Sequence, residues 1–225
     1  RDIEILRYLN EQYFMVSGQI YATFWPESSV RSGTARQRLS KLVETGYVKI
    51  IDTVKDHKKL KLFLITEKGI GVLKEKKLDH GFSEILDIGS MPIEHTIKLV
   101  NVRILFRKLN QYRFRCERVI RQEDVERGWY PDSILELHGF KIAMELENTF
   151  RSKERYLERF KRYELEKEFG LVIFIVSWPR VIGWLLDLDV PQDKMSFVLY
   201  DDLIQKKEEA ELHNKTSKIA LKSLL

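Results

Sequence analysis

The first 78 residues run helix, helix, basic helix, glycine, strand, basic turn, strand, and few folds accept that order. Residues 2–10 (DIEILRYLN) place Ile3, Ile5, Leu6 and Leu9 on one helical face. A second short amphipathic helix is expected over 17–24 (SGQIYATF), with Ser17 as N-cap and Ile20, Tyr21 and Phe24 turned inward. The run Pro26-Glu-Ser-Ser breaks the pattern. A third helix is predicted from Gly33 to Thr45 on the stripe Ala35, Leu39, Leu42 and Val43, and Gly46 is placed to end it in a left-handed conformation. Residues 47–53 and 60–66 then read as two strands around the turn segment 54–59 (VKDHKK).

The other side of the third helix carries Thr34, Gln37, Ser40, Lys41 and Glu44, flanked by Arg36 and Arg38. Long polar donors on one helical face are what base edges and phosphates in a major groove require. His57, Lys58 and Lys59 at the hairpin tip suit a phosphate backbone. Each of these residues alone would suit an ordinary solvated surface; the ordered series of elements is what points to a winged helix-turn-helix over residues 1–78. The segment 66–73 (TEKGIGVL) resembles the one that follows the wing in many bacterial winged-helix regulators. Charge supports the same reading. Residues 1–78 hold 15 Lys+Arg against 9 Asp+Glu, whereas residues 113–225 hold 20 against 21, so the net +5 sits in the N-terminal third.

A chain of 225 residues accommodates two domains, and 44% hydrophobic with 32% charged residues is ordinary for a folded one. The single Cys116 excludes an intrachain disulfide framework and a cysteine-based zinc site, and a reducing cytoplasm is the expected compartment. The longest apolar run, Leu171–Val176, is too short to span a bilayer, so no membrane partner is expected. No charged-then-apolar leader opens the chain, which begins at Arg1 rather than Met; the expectation is that its native N-terminus is missing. Residues 79–93 (DHGFSEILDIGSMPI) read as a linker. A helix is predicted from Glu94 to Gln111 on the stripe Ile97, Val100, Ile104, Leu105 and Leu109. His95 near its start has no second histidine at ligand spacing, and no zinc site is indicated.

Past Tyr112 the pattern becomes strand-like over 114–120, 130–137 and 140–147, with His138-Gly139 as the turn between the last two. Ser152 is expected to cap a polar helix to Phe169. The apolar strand Leu171–Val176, a helix over 181–188 and a strand over 195–200 follow. This order describes a mixed α/β domain over 94–204, and the whole chain is α+β. The tail 205–225 reads either as a terminal helix or as a partner-binding segment.

Chemistry concentrates in the second and third of these strands. Pro131-Asp132 opens one; in the other, Glu145 and Glu147 alternate with Met144 and Leu146 and so share a face. A hairpin brings Asp132 beside them. Three converging carboxylates repel unless a hard cation neutralises them, and Mg²⁺ or Mn²⁺ suits such a set. That ion would polarise a phosphodiester and acidify a bound water. The competing reading makes Glu145 and Glu147 the solvated face of a half-exposed strand. The helix after them carries Arg151, Lys153, Arg155, Arg159, Lys161 and Arg162 among Tyr156, Phe160 and Tyr163; interleaved glutamates favour a salt-laced exposed helix over a phosphate grip.

Proline-Asp, a turn and Glu-x-Glu on the neighbouring strand resemble the PD-(D/E)XK nuclease-like superfamily. The chain as a whole resembles the replication-relaxation family of plasmid and conjugative-element proteins, which includes MobC-type mobilisation accessories. The residues that carry the likeness are 94–103 (EHTIKLVNVR), Tyr130-Pro-Asp, 144–147 (MELE), 152–156 (SKERY) and 161–163 (KRY). The resemblance implies a restriction-endonuclease-like mixed-sheet domain after the winged helix, with Asp132, Glu145 and Glu147 as metal ligands and catalytic carboxylates. The superfamily's catalytic lysine falls where Glu147 stands, and Lys153, or failing that Lys161, is the implied substitute.

Three functions are in play. One is an accessory protein of plasmid mobilisation or replication that binds origin-like duplex and engages DNA, a relaxase or a replication initiator through its second domain. Another is a Mg²⁺- or Mn²⁺-dependent endonuclease or nickase. The weakest is a ligand-sensing repressor, which would bind a two-fold site as a homodimer; no glycine-rich phosphate loop marks a pocket for it.

Overall fold

In a computed structural model, which describes residues 1–26, 33–55, 57–89, 91–108, 113–137, 139–188 and 194–224, the chain divides into two units, Arg1–Ile104 and Leu105–Leu225. The fold is mixed, with helices around two separate sheets. Of the sequence expectations, most of the breaker run after Pro26, the last turn of the long helix with Leu109, and His138 lie outside the described residues. No described helix is long and apolar enough to cross a membrane.

The first unit follows the order α1 (Asp2–Glu11), β1 (Met15–Val16), α2 (Ser17–Phe24), α3 (Gly33–Glu44), β2 (Val48–Lys55), β3 (Lys58–Ile65) and α4 (Glu67–Glu75). The strands form an antiparallel sheet in the order β1-β3-β2, with Val48 opposite Ile65 and Lys55 opposite Lys58. One face of this sheet closes on the helices through Ile5, Leu9, Met15, Ile20, Leu39, Phe63 and Ile70. Its other face, with Leu62 and Leu64, is covered by Ile85, Ile88, Met91 and Ile97. The stretch expected to be a linker, 79–93, therefore packs on the first unit. Glu84 holds it there, accepting from Lys49 Nζ at 2.6 Å and from the Glu67 amide at 2.6 Å.

Local chemistry explains the element ends. Gly46, at φ 74°, closes α3: its N–H bonds to Val43 O and the Tyr47 N–H to Leu42 O, satisfying two terminal carbonyls. The cap of α2 is not Ser17, which is its first helical residue. Val16 precedes it, and its N–H is taken by the Gln19 side chain at 3.1 Å. Gln19 is buried and also donates to Ile97 O and Asn101 Oδ1, tying α2 to α5 (Ile93–Arg107). Arg103 of α5 lies 3.7 Å over the Tyr8 ring and pairs with Glu11. Burial would raise the Glu11 pKa, but hydrogen bonds from His80 and Arg103, with the charge of Arg7, hold it down at about 2.

The second unit is built on a seven-stranded sheet in the order β10-β9-β8-β7-β6-β5-β4. Its strands are β4 (Arg113–Cys116), β5 (Ser133–Leu137), β6 (Phe140–Glu147), β7 (Leu171–Val176), β8 (Met195–Leu199), β9 (Glu211–His213) and β10 (Lys218–Ala220). Pairing is parallel for β6–β7 and β7–β8 and antiparallel elsewhere. Crossovers run through α7 (Lys153–Leu165) and α8 (Pro179–Leu186), whose Tyr156, Phe160, Tyr163, Ile182 and Leu185 pack on Val172, Phe174 and Phe197.

Three expectations change here. The strand expected to reach Ile120 stops at Cys116: α6 (Glu117–Glu123) begins directly after β4, because the adjacent pair Val119-Ile120 is buried on one helical side while Arg121 pairs back to Glu117. The polar helix ends at Leu165 rather than Phe169. The tail is not a lone helix: after α9 (Tyr200–Lys206) it forms the β9–β10 hairpin beside β8, burying Ala210, Leu212 and Leu221.

Gly69 sits in α4 with no room for a side chain. A Cβ there would stand 2.5 Å from the Tyr47 carbonyl oxygen and 2.7 Å from the Ile65 side chain. Alanine is the better helix former by about 1 kcal/mol, so on propensity Gly69→Ala would stabilise. The close backbone contact reverses that sign: the variant is expected to unfold at lower urea concentration than the wild type, and an unchanged or higher midpoint would refute the packing argument.

Candidate functional site

Each residue singled out on α3 is exposed: Thr34, Arg36, Gln37, Arg38, Ser40 and Lys41 face outward, while Ala35, Leu39 and Leu42 face the core. The three-residue and four-residue spacing of the apolar positions leaves the whole remaining arc polar. Arg36 and Ser40 line a groove of about 440 Å³ together with Tyr21, Ile50 and Lys61. Thr34, Gln37, Arg38 and Lys41 border a larger open depression of about 880 Å³ with Asp2 and Trp25. Arg38 is not loose: it makes a two-pronged bond to Asp2, Nε to Oδ1 at 2.7 Å and Nη2 to Oδ2.

The hairpin register decides which basic side chains share a side with α3. Residues directly opposite in an antiparallel pair point to the same face. Ile50 opposite Phe63 lies on the helix side, so Lys61 opposite Asp52 and Lys59 opposite Val54 do as well. Lys58, opposite Lys55, stands on the reverse face, and Lys55 is bonded to Glu94 at 2.7 Å. His57 occupies the tip at φ 62°. Of the hairpin residues expected to act together, Lys59 thus lines up with α3 and Lys58 does not. Lys61 joins the set; only the pairing register could have shown it.

In the second unit the hairpin does bring Asp132 to Glu145 and Glu147, because Ser133 pairs with Met144. Asp132 Oδ2 accepts from the Leu146 N–H at 2.7 Å. The two glutamates are not a solvated face: Glu145 is 4% and Glu147 1% exposed. What covers them is α7, which runs back over β6. Four helical residues advance about 6 Å and two strand residues about 6.6 Å, so Arg159 lies over Glu147 and Tyr163 over Glu145. Arg159 Nη1 bonds to Glu147 Oε1 and stands 3.5 Å from Glu145 Oε2. Arg151 Nε holds Glu147 Oε2 at 3.0 Å, and the Tyr163 hydroxyl donates to Glu145 Oε1 at 2.5 Å.

Burial pushes the Glu145 pKa up to about 8, the Asp132 charge adds to it, and Arg159 and the Tyr163 hydroxyl only partly oppose the rise. The Tyr163 phenol is pushed up by burial and by the carboxylate it faces. Burial works against the charge of Arg159, but Glu145, Glu147 and Asp132 outweigh it and keep the guanidinium protonated.

The donor set does not fit Mg²⁺ or Mn²⁺. Both oxygens of Glu147 are engaged by arginines, Glu145 is bonded to a tyrosine, and the guanidinium sits where a cation would have to stand. Among the described residues no group of three His, Cys, Asp or Glu is placed to hold a metal ion. Lys153, expected to replace the missing strand lysine, is exposed at the first residue of α7. The side chain that meets the carboxylates is Arg159, six residues on. The signal for it was present: Arg159 falls inside the stripe Tyr156, Phe160, Tyr163 rather than on the glutamate-rich side.

Comparison with protein-family models, curated proteins and solved structures finds no match to this chain. Its chemistry rests on its own side chains.

The titration of Glu145 has a measurable consequence. With an ordinary value of 4.5 when unfolded and about 8 when folded, the folded protein holds the extra proton between those limits. Stability from this group is complete below about pH 4.5 and is lost as pH rises through 8. The groups facing it are Asp132, Glu147, Arg159 and Tyr163. Glu145→Gln keeps an acceptor for Tyr163 and cannot ionise, so its melting temperature is expected to fall less than the wild type's between pH 5 and 8.5. Parallel curves for the two proteins would show that Glu145 is ionised throughout.

Proposed function

We propose that this chain is a double-stranded DNA-binding protein of the plasmid mobilisation or replication type, acting in the cytoplasm as an accessory rather than as a nuclease. In this reading the first unit is a winged helix-turn-helix. Helix α3 lies in the major groove with Gln37, Ser40 and Lys41 toward base edges, and the β2–β3 hairpin is the wing that follows the phosphates with Lys59 and Lys61. The observation that carries the reading is the fully exposed polar side of α3 with two hairpin lysines on that same side of the sheet. Arg38, already extended and oriented by Asp2, is the arginine best prepared for a bidentate contact with guanine.

The second unit, by its likeness in strand order and in Pro131-Asp132 and Glu145, is a PD-(D/E)XK-type domain. Its acidic centre is closed by Arg159, and it serves to engage DNA or a relaxase or replication initiator. The ligand-sensing repressor has no observation in its favour.

Duplex binding is measured by fluorescence anisotropy on origin fragments against random duplex at several salt concentrations. Lys59→Ala is expected to weaken all duplexes alike and lower the salt slope by about one. Gln37→Ala is expected to relax sequence preference, at about 1–3 kcal/mol of discrimination for a lost bidentate contact. Binding without salt dependence, or unchanged by both substitutions, would overturn the proposal.

Supercoiled plasmid incubated with the protein and Mg²⁺ or Mn²⁺ is expected to remain supercoiled. Nicking or linearisation by the wild type that Asp132→Ala abolishes would restore the endonuclease reading and displace ours.

A further inference from the structure

A second surface with ligand chemistry lies in the second unit, where β6 and β7 end side by side. The strands stay joined past their last pair: the Ser177 N–H bonds to Glu147 O at 3.2 Å and the Ser177 hydroxyl donates to Asn148 Oδ1 at 2.9 Å. From this junction the two chains emerge carrying large aromatic side chains into solvent. Phe150 is 60% exposed and Trp178 42%. The Phe150 ring meets Trp184 of α8 at a tilt, with centroids 4.8 Å apart, and Trp184 is braced edge-on by Tyr156 at 5.5 Å. Phe150 is therefore backed by packed rings, while both it and Trp178 remain exposed.

Basic residues outnumber acids in the segments around it. Segments 148–156 and 177–184, which form the junction, contain Arg151, Lys153, Arg155 and Arg180 against the single acid Glu154. Lys153, Arg155 and Arg180 are exposed. Arg151 and Arg159, by contrast, are bonded to the buried Glu147, which leaves Lys153, Arg155 and Arg180 as the outer cations. Exposed aromatic rings on segments that also carry exposed cations fit a partner that offers flat π-faces and closely spaced negative charges. A duplex keeps its base faces inside the stack; a single strand presents them.

We propose that the surface formed by Phe150, Trp178, Lys153, Arg155 and Arg180 binds single-stranded nucleic acid, bases stacking on the two rings and phosphates meeting the cations. This is independent of duplex reading by α3, since every residue involved lies in the other unit.

The test uses the full chain and a fluorescein-labelled sixteen-residue oligothymidylate, read by anisotropy and by quenching of tryptophan fluorescence. Wild type is expected to bind with quenching. Phe150→Ala and Trp178→Ala are each expected to weaken binding about fivefold or more, the scale of one lost base–aromatic stack. Trp178→Phe retains a ring and is expected to recover most of the affinity. Lys153→Ala is expected to lower the salt slope by about 0.7, the single-strand value per charge. The α3 variant Gln37→Ala is expected to leave oligothymidylate binding unchanged, which separates failure here from failure of the duplex reading. No binding by wild type, affinity indifferent to Phe150→Ala and Trp178→Ala, or an equal loss of duplex binding in those two variants would each overturn the proposal. Both substituted rings are exposed, and unchanged circular dichroism verifies that the fold is intact.

Discussion

One arginine organises the second unit. Asp132, Glu145 and Glu147 come together because a hairpin and a two-residue strand period place them there, and with both glutamates buried the negative charge gathered at the site needs compensation. The Arg159 guanidinium supplies the compensation, with Arg151 and the Tyr163 hydroxyl completing the bonds. Ion pairs of this kind add little net stability over apolar packing, but losing one partner leaves a buried charge and costs about 3–5 kcal/mol. The cluster therefore dictates where α7 must lie on the sheet, and through α7 it positions the aromatic layer of Tyr156, Phe160 and Tyr163. In a centre closed in this way both buried glutamates are already engaged by the guanidinium groups and the tyrosine.

The first unit solves a different problem, how to hold a helix firmly while leaving most of its surface free. Only Ala35, Leu39 and Leu42 of α3 are buried. Its C-terminal end is secured instead by backbone bonds at Gly46 and Tyr47, and by Thr66, whose hydroxyl donates to Gly46 O at 2.7 Å and accepts from Gly69 N at 3.2 Å. Thr66 thus joins the end of α3 to the start of α4 through one side chain. A helix fixed at its end and along a narrow stripe presents seven polar side chains outward, the requirement for the major-groove role proposed for it.

Periodic segments were legible from sequence. The stripes of α1, α3 and α5 and the alternation of β6 each contain enough residues of one period to exclude the other, and the short β-branched apolar run of β7 suits a buried strand. Short segments were not. Glu117–Glu123 has two turns at most, and its helix depends on how Val119 and Ile120 are buried. The tail pairs its β9–β10 hairpin with β8, a contact whose register no local pattern states. The α7 helix carried a misleading balance of charges: its many glutamate–arginine alternations suit an exposed surface, and that holds for Arg162 with Glu158 but not for Arg159.

The sequence by itself determined the order of elements, the polar arc of α3, the strand face shared by Glu145 and Glu147, and the concentration of positive charge near the N-terminus, because these follow from helical and strand periods and from counting. Tertiary structure alone decided that Lys61 rather than Lys58 shares the side of α3, that Arg159 rather than Lys153 meets the carboxylates, and that Phe150 and Trp178 emerge from one junction. Each of those outcomes depends on which residues stand opposite one another across a hairpin, a helix–sheet contact or a parallel strand pair, and such distances are set by packing between segments far apart in the chain.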